Sequence, residues 1–185
     1  MALLTNYLIN ARMSRIESYI GGDVLDLGCG SAEILDKYGS KIEHYCGIEY
    51  SKTVVQTLQA KYPRATFYAR NLDQEKLALD RKFDCILMVA LIEHLFNQKH
   101  VMDEVAAALK PGGKIILTTP TPFGNDVVHR IGASIGLFSK AAVDDHIVIY
   151  NHHRLKLLAR EINLKLEKYF TFQLLCNQFA VFTKV

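Results

Sequence analysis

From residue 23 to residue 118, short apolar runs bounded by turn residues alternate with longer stretches whose apolar side chains recur at helical spacing. No other feature of the chain constrains its fold so strongly. Residues 23–27, 45–49, 66–69, 83–89 and 114–118 read as strands. Residues 32–38, 52–62 and 99–109 read as helices, the last stopped by Pro111 and Gly112, while 74–80 is a poorly patterned connection. A strand-helix alternation of this kind predicts an α/β class, with a parallel sheet covered by helices on both faces. A helix-like segment over 3–20 precedes the first strand.

The tail departs from the alternation. A helix over 151–162 leads to a strand at 166–172, and another strand, 179–183, follows after only a handful of residues. A parallel neighbour would need a crossover of about a dozen residues or more, so these two should pair as an antiparallel hairpin, with the last strand running against the rest. Between Thr119 and Asp145 no strand is evident. A connection that long leaves the C-terminal end of the fifth strand, where open α/β sheets bind ligands, and is expected to form a substrate-facing lid over 119–145. Its Val127, Val128, Ile131, Ile135 and Phe138 have roughly helical spacing, suited to packing on the sheet edge or to an apolar acceptor.

At 185 residues the chain is expected to form a single domain, 1–185, with residues 1–20 as an N-terminal cover helix carrying Tyr7 and Tyr19. The net charge of +3 is spread thinly among alternating acids and bases, so nucleic-acid binding has no electrostatic footprint. Cys29, Cys46, Cys85 and Cys176 lie far apart without a C-x-x-C pair, three of them in apolar runs. Buried thiols in a reducing cytoplasm are the expectation. The segment MALLTNYLINAR has no basic region ahead of its apolar piece and no small-residue cleavage site, so neither a signal peptide nor a membrane span is expected.

The stretch VLDLGCGSAEI (24–34) ends the first strand on an acid and follows it with two glycines that let the backbone approach a ligand. A dinucleotide site would carry G-x-G-x-x-G, with the pyrophosphate resting on the helix N-terminus. Here Glu33 occupies the third glycine position and would repel a pyrophosphate. The hairpin ending and the lack of a Tyr-x-x-x-Lys pair also weigh against a nicotinamide-dependent oxidoreductase.

VLDLGCG, then GIEYS, ARNLD, FDCILMVALIEHL and LKPGGKIILTTP, in that order, resemble the motifs of class I S-adenosylmethionine-dependent methyltransferases. The ending HIVIYNHHRLKLLAREINLKLEKYF resembles, more loosely, the small-molecule branch related to ubiquinone-type (type 11) methyltransferases. The resemblance implies a Rossmann-like three-layer sandwich whose seven-stranded, mostly parallel sheet has its last strand antiparallel. It implies S-adenosylmethionine as cofactor. Asp26, Gly28, Cys29 and Gly30 would line its methionine end; Glu49, with Tyr50 beside it, would take the ribose hydroxyls; Asn71, Leu72 and Asp73 would meet the adenine; Met88, Val89 and Ala90 would close over it. A binding protein that keeps the pocket without catalysis would carry the same motifs.

Methyl transfer from a sulfonium is an in-line displacement, so the protein contributes alignment, and a base where the acceptor starts protonated. Glu93 and His94 follow the fourth strand at the mouth where acceptor and cofactor should meet. His146 ends the lid, and imidazoles titrate where a hydroxyl proton can be taken. These three are the catalytic candidates. In ubiquinone-type relatives a Glu three positions before Glu93 helps hold a metal; Ala90 stands there, so no metal is expected. His44, His100, His129, His152 and His153 are expected at the surface or in caps. The expected partner is a small-molecule acceptor, methylated at oxygen, without nucleic acid or membrane, the protein acting as a monomer or homodimer.

Overall fold

The computed structural model describes residues 2–126 and 146–184, with side chains from residue 9 onward. Strands β1 (Gly22–Leu27), β2 (Ile42–Glu49), β3 (Thr66–Ala69), β4 (Phe83–Val89), β5 (Leu109–Pro120), β6 (Leu164–Phe172) and β7 (Asn177–Lys184) form one sheet in the order β3-β2-β1-β4-β5-β7-β6. The neighbours from β3 to β5 are parallel. β7 is antiparallel to both β5 and β6, as the short link between the last two strands required. Helices α1 (Ala2–Ile16), α2 (Glu33–Tyr38), α3 (Lys52–Lys61), α4 (Gln98–Ala107) and α5 (His152–Glu161) cover the two faces. This is the expected Rossmann-like three-layer arrangement.

Because side chains alternate along a strand, β1 and β4 feed two cores at once. Leu25, Leu27, Ile86 and Met88 point to the side covered by α4 and α5. Val24, Cys85 and Leu87 point to the side covered by α1, α2 and α3. Asp26 is two residues beyond Val24 and shares that second side, which places its carboxylate under α1. The central strands are buried on both faces, which is why they read as unbroken apolar runs.

Several boundaries differ from expectation for local reasons. α4 ends at Ala107, because the Ala108 carbonyl accepts from Phe83 N–H and Leu109 is drawn into the sheet opposite Phe83. The strand then runs through Pro111 and Gly112 and reaches Pro120, taking the first two residues of the expected lid. Residues 122–126 form a helical turn, while the rest of that lid, 127–145, lies outside the described residues, and with it Val127, Val128, His129, Ile131, Ile135 and Phe138. Residues 74–80 form no helix. Cys29, Cys46 and Cys85 are buried and Cys176 is half-buried, all as thiols. Among the described residues no helix is long and apolar enough to cross a membrane.

Candidate functional site

In the strand order, β1 leads outward to β2 and β3 on one side while β4 leads to β5 on the other, so the loops leaving β1 and β4 part from one another. A crevice opens at such a reversal, at the C-terminal ends of the strands. A pocket of about 190 Å³ lies there, lined by the loop residues Asp26, Gly28, Cys29 and Gly30, by Glu33 of α2, and by Arg12 of α1. Val89 at the end of β4 and Ile9 and Met13 of α1 complete its apolar wall. A larger concavity, about 420 Å³, sits beside the start of β4 between the 76–82 connection and α4, and it contains none of the motif residues.

The loop is shaped by its glycines. The N–H groups of Gly28 and Cys29 both donate to the Ile48 carbonyl, at 2.8 and 3.0 Å, pinning the turn to β2. Gly28 and Gly30 have φ of 67° and 52°, a region that side chains disfavour. A Cβ at Gly28 would lie 2.9 Å from Leu91, whereas one at Gly30 would meet nothing within 4 Å. Gly28 is therefore small because the protein packs against it, and Gly30 leaves open space for a ligand.

Asp26 is 3% exposed, and its Oδ2 accepts a hydrogen bond from the Tyr45 hydroxyl at 2.6 Å. Loss of water pushes its carboxyl up to about 7, with Glu49 adding to the rise and the Tyr45 hydrogen bond opposing it. A cation placed here would hold it ionised. The Cys29 thiol is pushed far up by burial and by the same two acids, so it is an inert wall rather than a nucleophile.

Glu49 closes the far side of the loop. Its Oε2 accepts from Gly30 N–H at 3.1 Å, and its Oε1 from Tyr50 and Ser51 N–H at 2.8 and 3.2 Å. Tyr50 is 73% exposed, its side chain turned to solvent. Asn71 Oδ1 accepts from Asp73 N–H, and Asp73 Oδ1 in turn caps the amides of Phe96 and Asn97, at 2.9 and 2.8 Å. Leu72 is buried in the core. So is Met88, fully, on the α4 side; only Val89 of the expected closing trio lines the pocket. Ala90 has a left-handed φ of 53°, its N–H bound to the Thr118 carbonyl.

Arg12 was not anticipated. Its Nη2 donates to Asn177 Oδ1 at 3.2 Å, and its buried Nε has no partner among the described residues. Burial lowers its pKa, opposed by the nearby Glu93. The signal was present: an arginine sits within the apolar stripe Ile9, Met13, Ile16 of an amphipathic helix, where a charge is costly without a partner or a ligand. Tyr19 does not reach the site; its ring packs against Phe179 of β7, 5.7 Å between centroids. The side chain of Tyr7 lies outside the described residues.

The catalytic candidates are brought together. Ile92–His94 forms a tight turn after β4, and the Glu93 carbonyl accepts from the amides of Ile147 and Val148 at 2.8 and 3.3 Å, docking His146 against it. The His94 and His146 rings lie 5.0 Å apart, and one ligand atom each from Glu93, His94 and His146 all fall within 4.8 Å of one another. His146 Nδ1 lies 2.9 Å from Asn125 Oδ1. Glu93 is 1% exposed, and its Oε2 has no hydrogen-bond partner among the described residues. Burial raises its pKa. The remaining described histidines lie elsewhere: His44 pairs with Asp23, His100 with Glu104, His152 stacks on Tyr169, and His153 is exposed on α5.

Residues 8–169 match a family model described as a methyltransferase domain. A Mycolicibacterium smegmatis protein named "Probable S-adenosylmethionine-dependent methyltransferase" is 32% identical over 100 residues, 54% of this chain and 38% of the relative. A ubiquinone biosynthesis O-methyltransferase of Coxiella burnetii is 32% identical over 123 residues, 61% of this chain and 51% of the relative. The match thus spans only a third to a half of these relatives. Among solved structures, a TehB-like S-adenosylmethionine-dependent methyltransferase of Corynebacterium glutamicum superposes with a TM-score of 0.67 at 17% identity, covering 100% of this chain and 96% of its own. A magnesium protoporphyrin IX methyltransferase of Synechocystis, solved with S-adenosylhomocysteine, gives 0.70 at 15% identity, covering 97% and 83%. At these identities the structural likeness is one of fold.

Proposed function

The chain belongs to the methyltransferase-domain family whose model it matches over residues 8–169, and from that premise we propose that it transfers a methyl group from S-adenosylmethionine to a small-molecule acceptor, at an oxygen atom. The observation that carries this reading is the charge pattern of the pocket at the β1/β4 crevice. A buried acid, Asp26, and a half-buried cation, Arg12, line one cavity together with Glu33. That pattern suits a ligand with an ammonium at one point and a carboxylate at another. It does not suit a pyrophosphate, which Glu33 would repel at the start of α2.

Asp26 would hold the ammonium of the methionine end and Arg12 its carboxylate. Glu49 would give part of its acceptor capacity to the ribose hydroxyls, and Asp73 to the adenine. When bound, S-adenosylmethionine supplies a methyl group on a positively charged sulfur, open to in-line displacement. Glu93, His94 and His146 would face the acceptor and receive a proton from its hydroxyl; alignment does the rest. The choice of oxygen is supported by the name of the Coxiella burnetii relative. The protein would act in the cytoplasm, as a monomer or homodimer.

Calorimetric titration with S-adenosylhomocysteine and with NADH tests the cofactor; heat from NADH alone would sink the reading. Incubation with methyl-labelled S-adenosylmethionine and a metabolite extract tests transfer. A labelled extract fraction supports it, and its absence under conditions of proven binding would favour a protein that holds the cofactor without catalysis.

A further inference from the structure

We propose that Glu93, His94 and His146 form a binding site for a divalent transition-metal ion, built from two segments of the chain and set at the acceptor side of the crevice. This goes against the expectation drawn from Ala90. An alanine there removes a donor that the local motif would have supplied, but the fold brings in another from more than fifty residues along the chain.

Three observations carry it. The first is geometry. A metal bonding imidazole nitrogen and carboxylate oxygen at about 2.0–2.2 Å holds its donors roughly 3 to 4 Å apart. The candidate donor atoms already lie within 4.8 Å of one another, so small side-chain rotations would close the cage. The second is an unsatisfied atom. Glu93 is 1% exposed and its Oε2 has no hydrogen-bond partner among the described residues, although a buried carboxylate oxygen is costly to leave alone. Thr119 and the charge of Arg12 also act on this carboxyl, but Arg12 Nη2 donates to Asn177 Oδ1, and neither gives Oε2 a hydrogen bond. A cation at the three donors would answer the orphaned oxygen directly.

The third is support from behind the donors. Asn125 Oδ1 accepts from His146 Nδ1–H at 2.9 Å, which fixes the tautomer with its lone pair on Nε2 and holds the ring, as carbonyl oxygens do behind metal-bound histidines. The bonds from Ile147 and Val148 N–H to the Glu93 carbonyl tie the two donor segments together through backbone alone, so the segments are in place before any ion arrives. Two imidazoles and one carboxylate suit zinc, cobalt, manganese or iron far better than magnesium or calcium, which prefer all-oxygen cages. Three protein donors leave coordination positions for an outside oxygen. On the reading that the protein methylates a hydroxyl, that oxygen belongs to the acceptor, and the ion lowers its pKa so that the proton passes to water, in place of direct transfer to Glu93, His94 or His146; the site itself does not depend on that reading.

The test is a titration of the metal-stripped protein with Co²⁺, read by visible absorption and calorimetry, with Zn²⁺ as competitor. The expected result is uptake of one equivalent, with cobalt bands that Zn²⁺ abolishes. Glu93→Gln and His146→Ala should each weaken binding at least tenfold and Asn125→Ala about tenfold, while His100→Ala, outside the site, leaves it unchanged. A cooperative thermal unfolding transition in each variant verifies that it is folded. Failure of the folded wild-type protein to take up Co²⁺, or uptake undiminished in Glu93→Gln and His146→Ala, would overturn the proposal. Cobalt uptake without S-adenosylhomocysteine binding would sink the methyl-transfer reading and leave the metal site standing; the reverse pattern would do the opposite.

Discussion

The Tyr45 hydroxyl donates to Asp26 Oδ2 at 2.6 Å inside the protein, one strand over from the glycine loop. That single bond moderates a carboxyl which burial pushes up to about 7. Its consequences are measurable because the change falls near neutral pH.

For the ligand-free protein the sign follows from linkage. Above the unfolded value of 3.8 the unfolded chain releases this proton, while the folded chain keeps it until about pH 7. Asp26 therefore contributes a loss of stability as pH rises from about 4 to about 7, and none beyond. Ligand binding should run the other way. If ionised Asp26 grips an ammonium, S-adenosylhomocysteine affinity should rise up to about tenfold between pH 6 and 8, as the competent fraction grows. Calorimetry across that range checks it, and an affinity independent of pH in the wild type would count against the role.

Tyr45→Phe removes the hydrogen bond that lowers the Asp26 pKa. The midpoint of the pH-dependent affinity should move to higher pH. Thermal unfolding should show a loss of about 1–3 kcal/mol for the orphaned oxygen. An unchanged midpoint would show that Tyr45 has no electrostatic influence on the site.

Arg12→Gln should weaken S-adenosylhomocysteine binding by about tenfold to a hundredfold, the range of one charge-assisted hydrogen bond, while Arg12→Lys should recover part of it. Isothermal titration of both variants decides it. Equal affinity for wild type and Arg12→Gln would remove Arg12 from the cofactor site.

Gly28 and Gly30 should fail in different ways. Gly28→Ala forces a methyl group against Leu91 and should cost stability of about 2 kcal/mol or more. Gly30→Ala has room in the folded chain, so its unfolding loss should be limited to the strain of a left-handed alanine, about 1–2 kcal/mol. Its cost should fall mainly on ligand binding. Melting curves with and without S-adenosylhomocysteine separate the two; a variant pair that behaves alike would refute the distinction.

Phe179 in β7 is fully buried, stacked on Phe170 at 4.7 Å and touched by Tyr19 of the opening segment. Phe179→Ala should destabilise the protein by about 3–5 kcal/mol in denaturant unfolding, since it opens a cavity where the final hairpin meets the N-terminal cover. A loss below about 1 kcal/mol would mean that this junction collapses around the gap.

The alternation of strands and helices, the antiparallel ending and the glycine loop with its acid could all be read along the chain. Each depends on neighbours in sequence: side-chain period, turn residues, and the length of a link that either can or cannot cross back over a sheet. The positions of Arg12, Met88 and the Glu93, His94, His146 group depended on the tertiary fold. Arg12 reaches the pocket because α1 lies over the face that Asp26 shares with Val24. Met88 is withdrawn into the core because strand alternation turns it to the opposite face from Leu87. His146 meets Glu93 because two backbone amides dock its segment on the turn after β4. Sequence spacing carries local periodicity and connection length, whereas contacts between residues far apart in the chain are decided only when the sheet assembles and sets which faces and loops come to lie together.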